Sequence, residues 1–491
     1  MSPFRAVLWL TLIYLARHTS ARPDEPPEFD AWSYKKDQII DRDVAIIGGG
    51  SAGIYSAISL KDKGKSVIVV ERKARIGGHT ETYTDPVSGM PIDIGVIVWH
   101  DTPIVRAYFE RLNVPLIKAG SDIDPSAPPP RSGDYDFRTG QSVNITPLSP
   151  EAVGAAFAGY TQQILKYPRL SDGMFLPNPV PDDLVMPFGE FVQKYNLEAV
   201  LPTMFQYDPG LGDILTVPTV EIMRYFGLSL VQQLQTGGFL TTQRHNNSEL
   251  YANAQAELLS TSSLLLSSEV QLALRPSRNT PPVHLVVRTP SGRRLIRAKK
   301  LLITIPPKLD FLGPFAPNDE ELSVFGRLIK GGYCTSVVKN TGISDDLSVL
   351  NRKQDTPYHF PELPAVYEIQ RSPAPGLHIA FYGTPRSTLS QPVPDSQVQS
   401  DIIAGIKQLQ AANPETFNQT EPEFVEFSSH LPFYVQFAPE DTRNGYYGKM
   451  YALQGKRNTF WTGASWRTQD SSEIWRFTEQ EVLPGLLAAL G

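Results

Sequence analysis

The stretch from Asp43 to Glu71 constrains the fold more than any other. Asp43-Val44-Ala45-Ile46-Ile47 is a short apolar run that leads directly into Gly48-Gly49-Gly50-Ser51-Ala52-Gly53. Ile54, Ala57, Ile58 and Lys61 then recur at helical spacing, and Gly64 follows as a helix-ending glycine. A second run, Ser66-Val67-Ile68-Val69-Val70, stops at the acidic Glu71. This is a strand, helix, strand unit with Gly48, Gly50 and Gly53 in the G-x-G-x-x-G positions and a carboxylate 18 residues after the last glycine. Gly48 permits the tight turn, Gly50 lets backbone approach a diphosphate, and Gly53 lets the helix pack close to the sheet. Ser51 and Ala52 open a helix whose free N–H groups attract phosphate. Glu71 is placed to accept from the ribose hydroxyls of an adenosine. A dinucleotide-binding α/β sheet is the fold this predicts.

Composition sets the surroundings. At 491 residues, with 41% hydrophobic and 20% charged side chains, the chain can bury a large core. Its net charge of −6 carries no Lys/Arg run, which argues against a nucleic-acid partner. Cys334 is the single cysteine, so neither an internal disulfide nor a multi-cysteine zinc site is expected, and no metal is. Arg5, the apolar Ala6 to Ala16 and the small-residue end Thr19-Ser20-Ala21 read as a signal peptide over residues 1–21. That run is about half of the ~20 residues needed to span a bilayer, so no stable membrane anchor is expected. Sequons at Asn144, Asn246 and Asn418 fit passage through a secretory lumen, giving a secreted or lumenal glycoprotein as the expectation.

The residues after Glu71 separate NAD from FAD. Glu71-Arg72-Lys73-Ala74-Arg75-Ile76-Gly77-Gly78-His79 places an arginine four residues after the acid and a glycine pair two further on, where a second loop can lie flat beside the longer flavin dinucleotide. Here the sequence resembles the FAD-dependent amine oxidase superfamily, whose pattern is acid, three residues, Arg, one residue, Gly-Gly-Arg. His79 replaces that last arginine. Asp93 to Trp99 looks like the family segment beside the flavin ring. The alternating runs Glu269–Arg275 and Val283–Arg288, closed by Lys300–Pro307, look like its second cofactor segment, with Val270 meeting the adenine. Thr459–Ala464, including Gly463, resembles the terminal flavin strand, and a helix starting near Trp475 would face the flavin pyrimidine edge; Ser465 stands where the family often has an acid. The chain is also similar to fungal flavoproteins of the β-cyclopiazonate dehydrogenase type, with a leader and the Gly-Gly-His variant.

The resemblance implies a Rossmann-like α/β FAD-binding domain of the GR2 flavoprotein type with a discontinuous α+β substrate domain. Residues 40–118, 240–310 and 445–491 are assigned to the first, and 119–239 and 311–444 to the second. Within the latter, helices are expected at Pro150–Tyr167, Pro187–Tyr195 and Val220–Leu234, and strands at Tyr333–Lys339 and Leu377–Tyr382. The cofactor residues expected are Gly48, Gly50, Ser51, Ala52, Gly53, Glu71, Arg72, Arg75, Gly77, Gly78, His79, Val270, Gly463 and Trp475. The family lysine position falls at Thr335 or Ser336, with Lys339 a later substitute. His100 is the weak acid–base candidate; His245, beside a sequon, is discounted. Trp466, Trp475, Tyr446 and Tyr447 could wall a substrate pocket, and Cys334 reads as a buried thiol rather than a flavin attachment. The expected function is an FAD-dependent oxidoreductase that removes hydride from a small, largely apolar metabolite in secondary-metabolite biosynthesis. The alternatives are a flavin-dependent double-bond isomerase and a secreted flavin-binding protein without turnover.

Overall fold

The computed structural model describes residues 27–123, 129–207, 210–276, 282–389 and 391–491. The signal peptide assigned to 1–21 lies outside them. Two sheets carry the architecture. The first has seven strands in the order Glu269–Leu274, Val283–Thr289, Gly292–Ile303, Ile39–Ile47, Val67–Val70 and Leu264–Leu265, with Thr459–Trp461 also paired to Gly292–Ile303. Ile39–Ile47 runs parallel to both neighbours. Val44–Ile47 and Val67–Val70 are all buried, as unbroken apolar runs covered on both faces require. Helix Ser51–Asp62 packs here with Ala52 and Ile54 to Ile58 buried, and Gly64 turns the chain at φ +75°.

The second sheet has six strands, in the order Glu423–Gln436, Ile329–Lys339, Leu377–Gly383, Ala365–Arg371, Leu347–Asn351 and Arg131–Tyr135. Its pairs are antiparallel except the last, and the 18-residue helix Asp395–Ala412 packs Val398, Ile402, Ile406 and Leu409 into the same core as Val338 and Ile369.

Several boundaries differ from the sequence expectation. The strand expected from Lys300 begins at Gly292, because a turn at Thr289 and Gly292 folds it onto its neighbour and the exposed Arg293 and half-buried Arg294 hide the alternation. The helix expected over Val220–Leu234 is two, Thr219–Tyr225 and Leu228–Thr236, broken at Gly227, which caps the second in an extended conformation. Helix Pro150–Ile164 stops three residues short of Tyr167.

Candidate active site

A cavity of about 440 Å³ runs between the two sheets. One wall is the glycine loop and what surrounds it: Gly48, Gly50, Ser51, Ala52, Glu71, Arg72, Gly77, Gly78, His79 and Val270. The other includes Ser429, Leu431, Pro432 and Phe433 from the six-stranded sheet, and the C-terminal segment joins the two, with Gly463 and Ser471 against the first wall and Gln469 against the second.

The first wall is made largely of main chain. A Cβ on Gly53 would lie 2.0 Å from the carbonyl oxygen of Gly48, so only glycine allows the helix to leave the strand here. Gly78, at φ +60°, would place a Cβ 2.9 Å from the Gly50 Cα, and Gly77 N–H donates to the Gly49 carbonyl at 2.8 Å. The two glycine loops therefore touch backbone to backbone. Gly50 differs: its Cβ would meet nothing nearer than the Gly78 Cα at 3.7 Å, so the missing side chain leaves cavity rather than contact. Glu71 follows the second strand and accepts from Gly49 N–H at 2.6 Å and Lys73 N–H at 2.7 Å. One bond to each oxygen leaves a lone pair on each for a ligand. Ser51 Oγ lies 2.9 Å from Ser471 Oγ, so the starts of helices Ser51–Asp62 and Ser471–Phe477 converge on this wall.

The second wall is made of side chains from distant parts of the sequence. Phe433 is reached by the His79 ring at 5.9 Å and by Tyr333, edge-on, at 4.9 Å. Behind it, His430 is fully buried and stacks on His79 with centroids 4.5 Å apart. Ser428 Oγ lies 3.1 Å from His430 Nε2 and donates to Glu81, which also pairs with Arg75 and, at 2.9 Å, with Lys73. Burial, reinforced by the neighbouring imidazole, holds His79 well below the ordinary histidine range, and burial lowers His430 too. Burial opposes the charge of Glu81, but His430, Ser428 and Lys73 outweigh it and keep the carboxyl well below the usual range. Neutral imidazoles thus stand beside a carboxylate.

Several expected site residues lie elsewhere. Arg75 is drawn to Glu81 and away from the cavity. Trp475 sits inside its helix, which starts at Ser471 behind the cap Asp470; its Nε1 donates to Ser51 Oγ at 2.9 Å while its rings pack on Tyr55 and Tyr108. It is Ser471 and Ile474 that reach the cavity. His100 is buried away from the cavity, with Nδ1 2.8 Å from Ser229 Oγ and Nε2 3.2 Å from Asp470 at that helix start. Trp466, Tyr446 and Tyr447 do not line it either; Phe433, Phe311 and Phe315 are the aromatics that do. Lys339 pairs with Glu423 at 3.0 Å on the surface, and Thr335 and Ser336 are fully buried. Cys334 is a buried thiol pushed up to about 12 by burial. Among the sequons, Asn144 and Asn418 are exposed and Asn246 is half-buried. His79 was legible as a motif departure; His430, Phe433 and Gln469 gave no local signal.

The residues fit FAD on two observations of the chain itself. Gly50 leaves a cradle that any Cβ would fill, and two cavity-lining residues keep buried polar atoms without a protein partner, Thr80 Oγ1 and Gln469 Oε1. Buried polar atoms left alone in this way mark a missing partner. A glycine-loop sheet facing an antiparallel sheet across one cavity defines the flavoprotein fold class. The solved fatty acid isomerase from P. acnes has this fold, with a TM-score of 0.70 at 18% identity over 90% of this chain and 98% of that one. So does putrescine oxidase bound to putrescine, at 0.60 and 14% over 92% and 98%. The model of an NAD(P)-binding Rossmann-like domain matches residues 46–112.

Sequence relatives then name the family. The FAD-dependent oxidoreductase oblC of Cochliobolus heterostrophus is 47% identical over 469 residues, 95% of each chain. β-Cyclopiazonate dehydrogenase of Aspergillus oryzae is 34% identical over 448 residues, 90% of this chain and 92% of its own. This chain belongs to that family of FAD-dependent oxidoreductases, and FAD is its cofactor.

Proposed function

We propose that the chain oxidises a small, largely apolar metabolite in the cavity between the two sheets, as a step in secondary-metabolite biosynthesis. The observation that carries this is the sheet wall, where Leu431, Pro432 and Phe433 set an apolar surface opposite the glycine loop within one continuous cavity. FAD, when bound, supplies a two-electron acceptor, and the protein supplies placement and electrostatics. The N–H groups that open helix Ser51–Asp62 would hold the anionic part of the cofactor. Glu71 would hold the ribose, Val270 the adenine, and Thr80 and Gln469 would take partners they otherwise lack. The substrate would lie against Phe433, with water kept out by the His79–His430–Tyr333 ring cluster.

Purification followed by a visible spectrum and mass spectrometry of the released ligand tests the cofactor site; a colourless protein that takes up no added FAD overturns it. Anaerobic mixing with apolar candidates related to the substrate of β-cyclopiazonate dehydrogenase should bleach the flavin. Product without net bleaching and without an external acceptor would point to the isomerase alternative.

We also propose a secretory route, resting on the leader-like residues 1–21 and on exposed Asn144 and Asn418. Among the described residues no helix is long and apolar enough to cross a membrane. Mass loss on enzymatic deglycosylation of the protein from a fungal host is the expected result, and an unmodified chain retaining residues 1–21 would refute the proposal.

A further inference from the structure

Arg224 lies outside the cavity, in helix Thr219–Tyr225, and its side chain is fully buried. All five of its N–H donors are used. Nε donates to the Arg467 carbonyl at 2.5 Å. One terminal nitrogen donates to the Val435 carbonyl at 2.9 Å and to Glu221 at 3.1 Å. The other donates to the carbonyls of Ala464 at 3.0 Å and Ser465 at 2.7 Å. Glu221 is itself held by the Tyr447 hydroxyl, and the Tyr434 hydroxyl donates to its carbonyl at 2.7 Å.

The acceptors decide what this arrangement does. Ala464 and Ser465 line the cavity, and Val435 lies two residues beyond the cavity-lining Phe433 on the strand Glu423–Gln436. Arg467 continues the chain of contacts: it donates to the Arg224 carbonyl at 2.9 Å and to Glu473, in helix Ser471–Phe477, at 2.6 Å. A guanidinium needed only to neutralise Glu221 would not require four carbonyls drawn from the turn Ala464–Arg467 and the strand Glu423–Gln436. The planar fork also fixes directions that a lysine ammonium, a single point with three donors, cannot reproduce.

We propose that Arg224 is a positioning residue of the oxidation site, tying the turn Ala464–Arg467 to the strand behind Phe433 and so fixing the two surfaces between which substrate meets cofactor. This rests on the reading that the cavity holds FAD. Small displacements of such surfaces are costly, since placement within about 1 Å separates a productive site from an unproductive one.

The test compares four FAD-loaded proteins: wild type, Arg224→Lys, Glu221→Gln, and Ile369→Ala, the last a core substitution in strand Ala365–Arg371 away from the cavity. Two properties are read without substrate, the visible circular dichroism of the bound flavin and the rate of FAD release. Arg224→Lys should alter the dichroism and speed release about 10-fold, with Glu221→Gln changing both in the same direction but less. Ile369→Ala should lower thermal stability and leave both properties as in wild type. If Arg224→Lys does not fold, Glu221→Gln decides. Wild-type dichroism and release in the folded variants would overturn the proposal, as would equal changes in Ile369→Ala. A colourless wild type would overturn the cofactor site itself, which is a separate result.

Discussion

The two walls of the cavity are built by different means. The glycine-loop wall comes from main chain within residues 47–80, plus short contributions near 270, 304 and 463, and its shape is set by the absence of side chains. The sheet wall depends on strand pairing across long separations: Tyr333 is opposite His430, and Gln469 donates to the Phe433 carbonyl at 2.7 Å. The first wall can hold one invariant ligand because backbone offers the same donors in every member of a fold. The second can change with any side chain on its strands, which suits a surface that meets a variable substrate.

The sharpest way to break this contrast is Gly53→Ala. Its Cβ would sit 2.0 Å from a backbone oxygen that cannot swing aside, so a loss of about 3 kcal/mol or more is expected. Urea unfolding checks it, and wild-type stability would show that main-chain fit does not govern this wall. Gly50→Val should separate fold from ligand. The branched side chain enters open cavity, so the protein should stay folded while FAD affinity falls about 100-fold, equivalent to ~3 kcal/mol; retained yellow colour after gel filtration would count against the cradle.

On the other wall, Phe433→Ala should leave FAD content unchanged and raise KM for an apolar substrate about 10-fold. A variant that loses FAD while keeping KM would reverse the assignment of the two walls. The smallest effect expected is electrostatic. The folded pKa of His430 is depressed, so between that value and about 6.5 the unfolded chain binds more protons. The contribution of His430, and of His79 stacked on it, should therefore fall as pH drops below about 6.5. Glu81, also depressed but from a lower starting value, contributes no slope in that window. Asp93, raised to about 7 by burial, acts in the opposite direction. Comparing melting temperatures of wild type and His430→Gln from pH 7.5 to 5.5 isolates the histidine, and parallel curves would mean that the buried ring is not neutral.

The same contrast explains what could be read from the sequence. The strand, loop, helix and Glu71 form a local motif in which each residue type has a steric or hydrogen-bonding reason, so cofactor and fold class were legible before any coordinates. Arg75 was misread because its motif position gives no sign of Glu81, six residues later, which captures it. His100 and Trp475 have the right chemistry in the right segments, but both turn toward the core around helix Ser471–Phe477. His430, Phe433 and Arg224 lay beyond local reasoning, because what gives them a role is a partner one hundred or more residues away, reached through sheet register and helix packing.

The strand Gly292–Ile303 has one further consequence. Its last three residues pair with Thr459–Trp461, and the turn and helix that close the cavity come later still. A nascent chain therefore carries a complete glycine loop long before the ribosome delivers the parts that enclose a prosthetic group. A polypeptide stopped before residue 459 would keep the glycine loop, Glu71 and Val270 but lack the residues from Thr462 to Ile474 that complete the cavity.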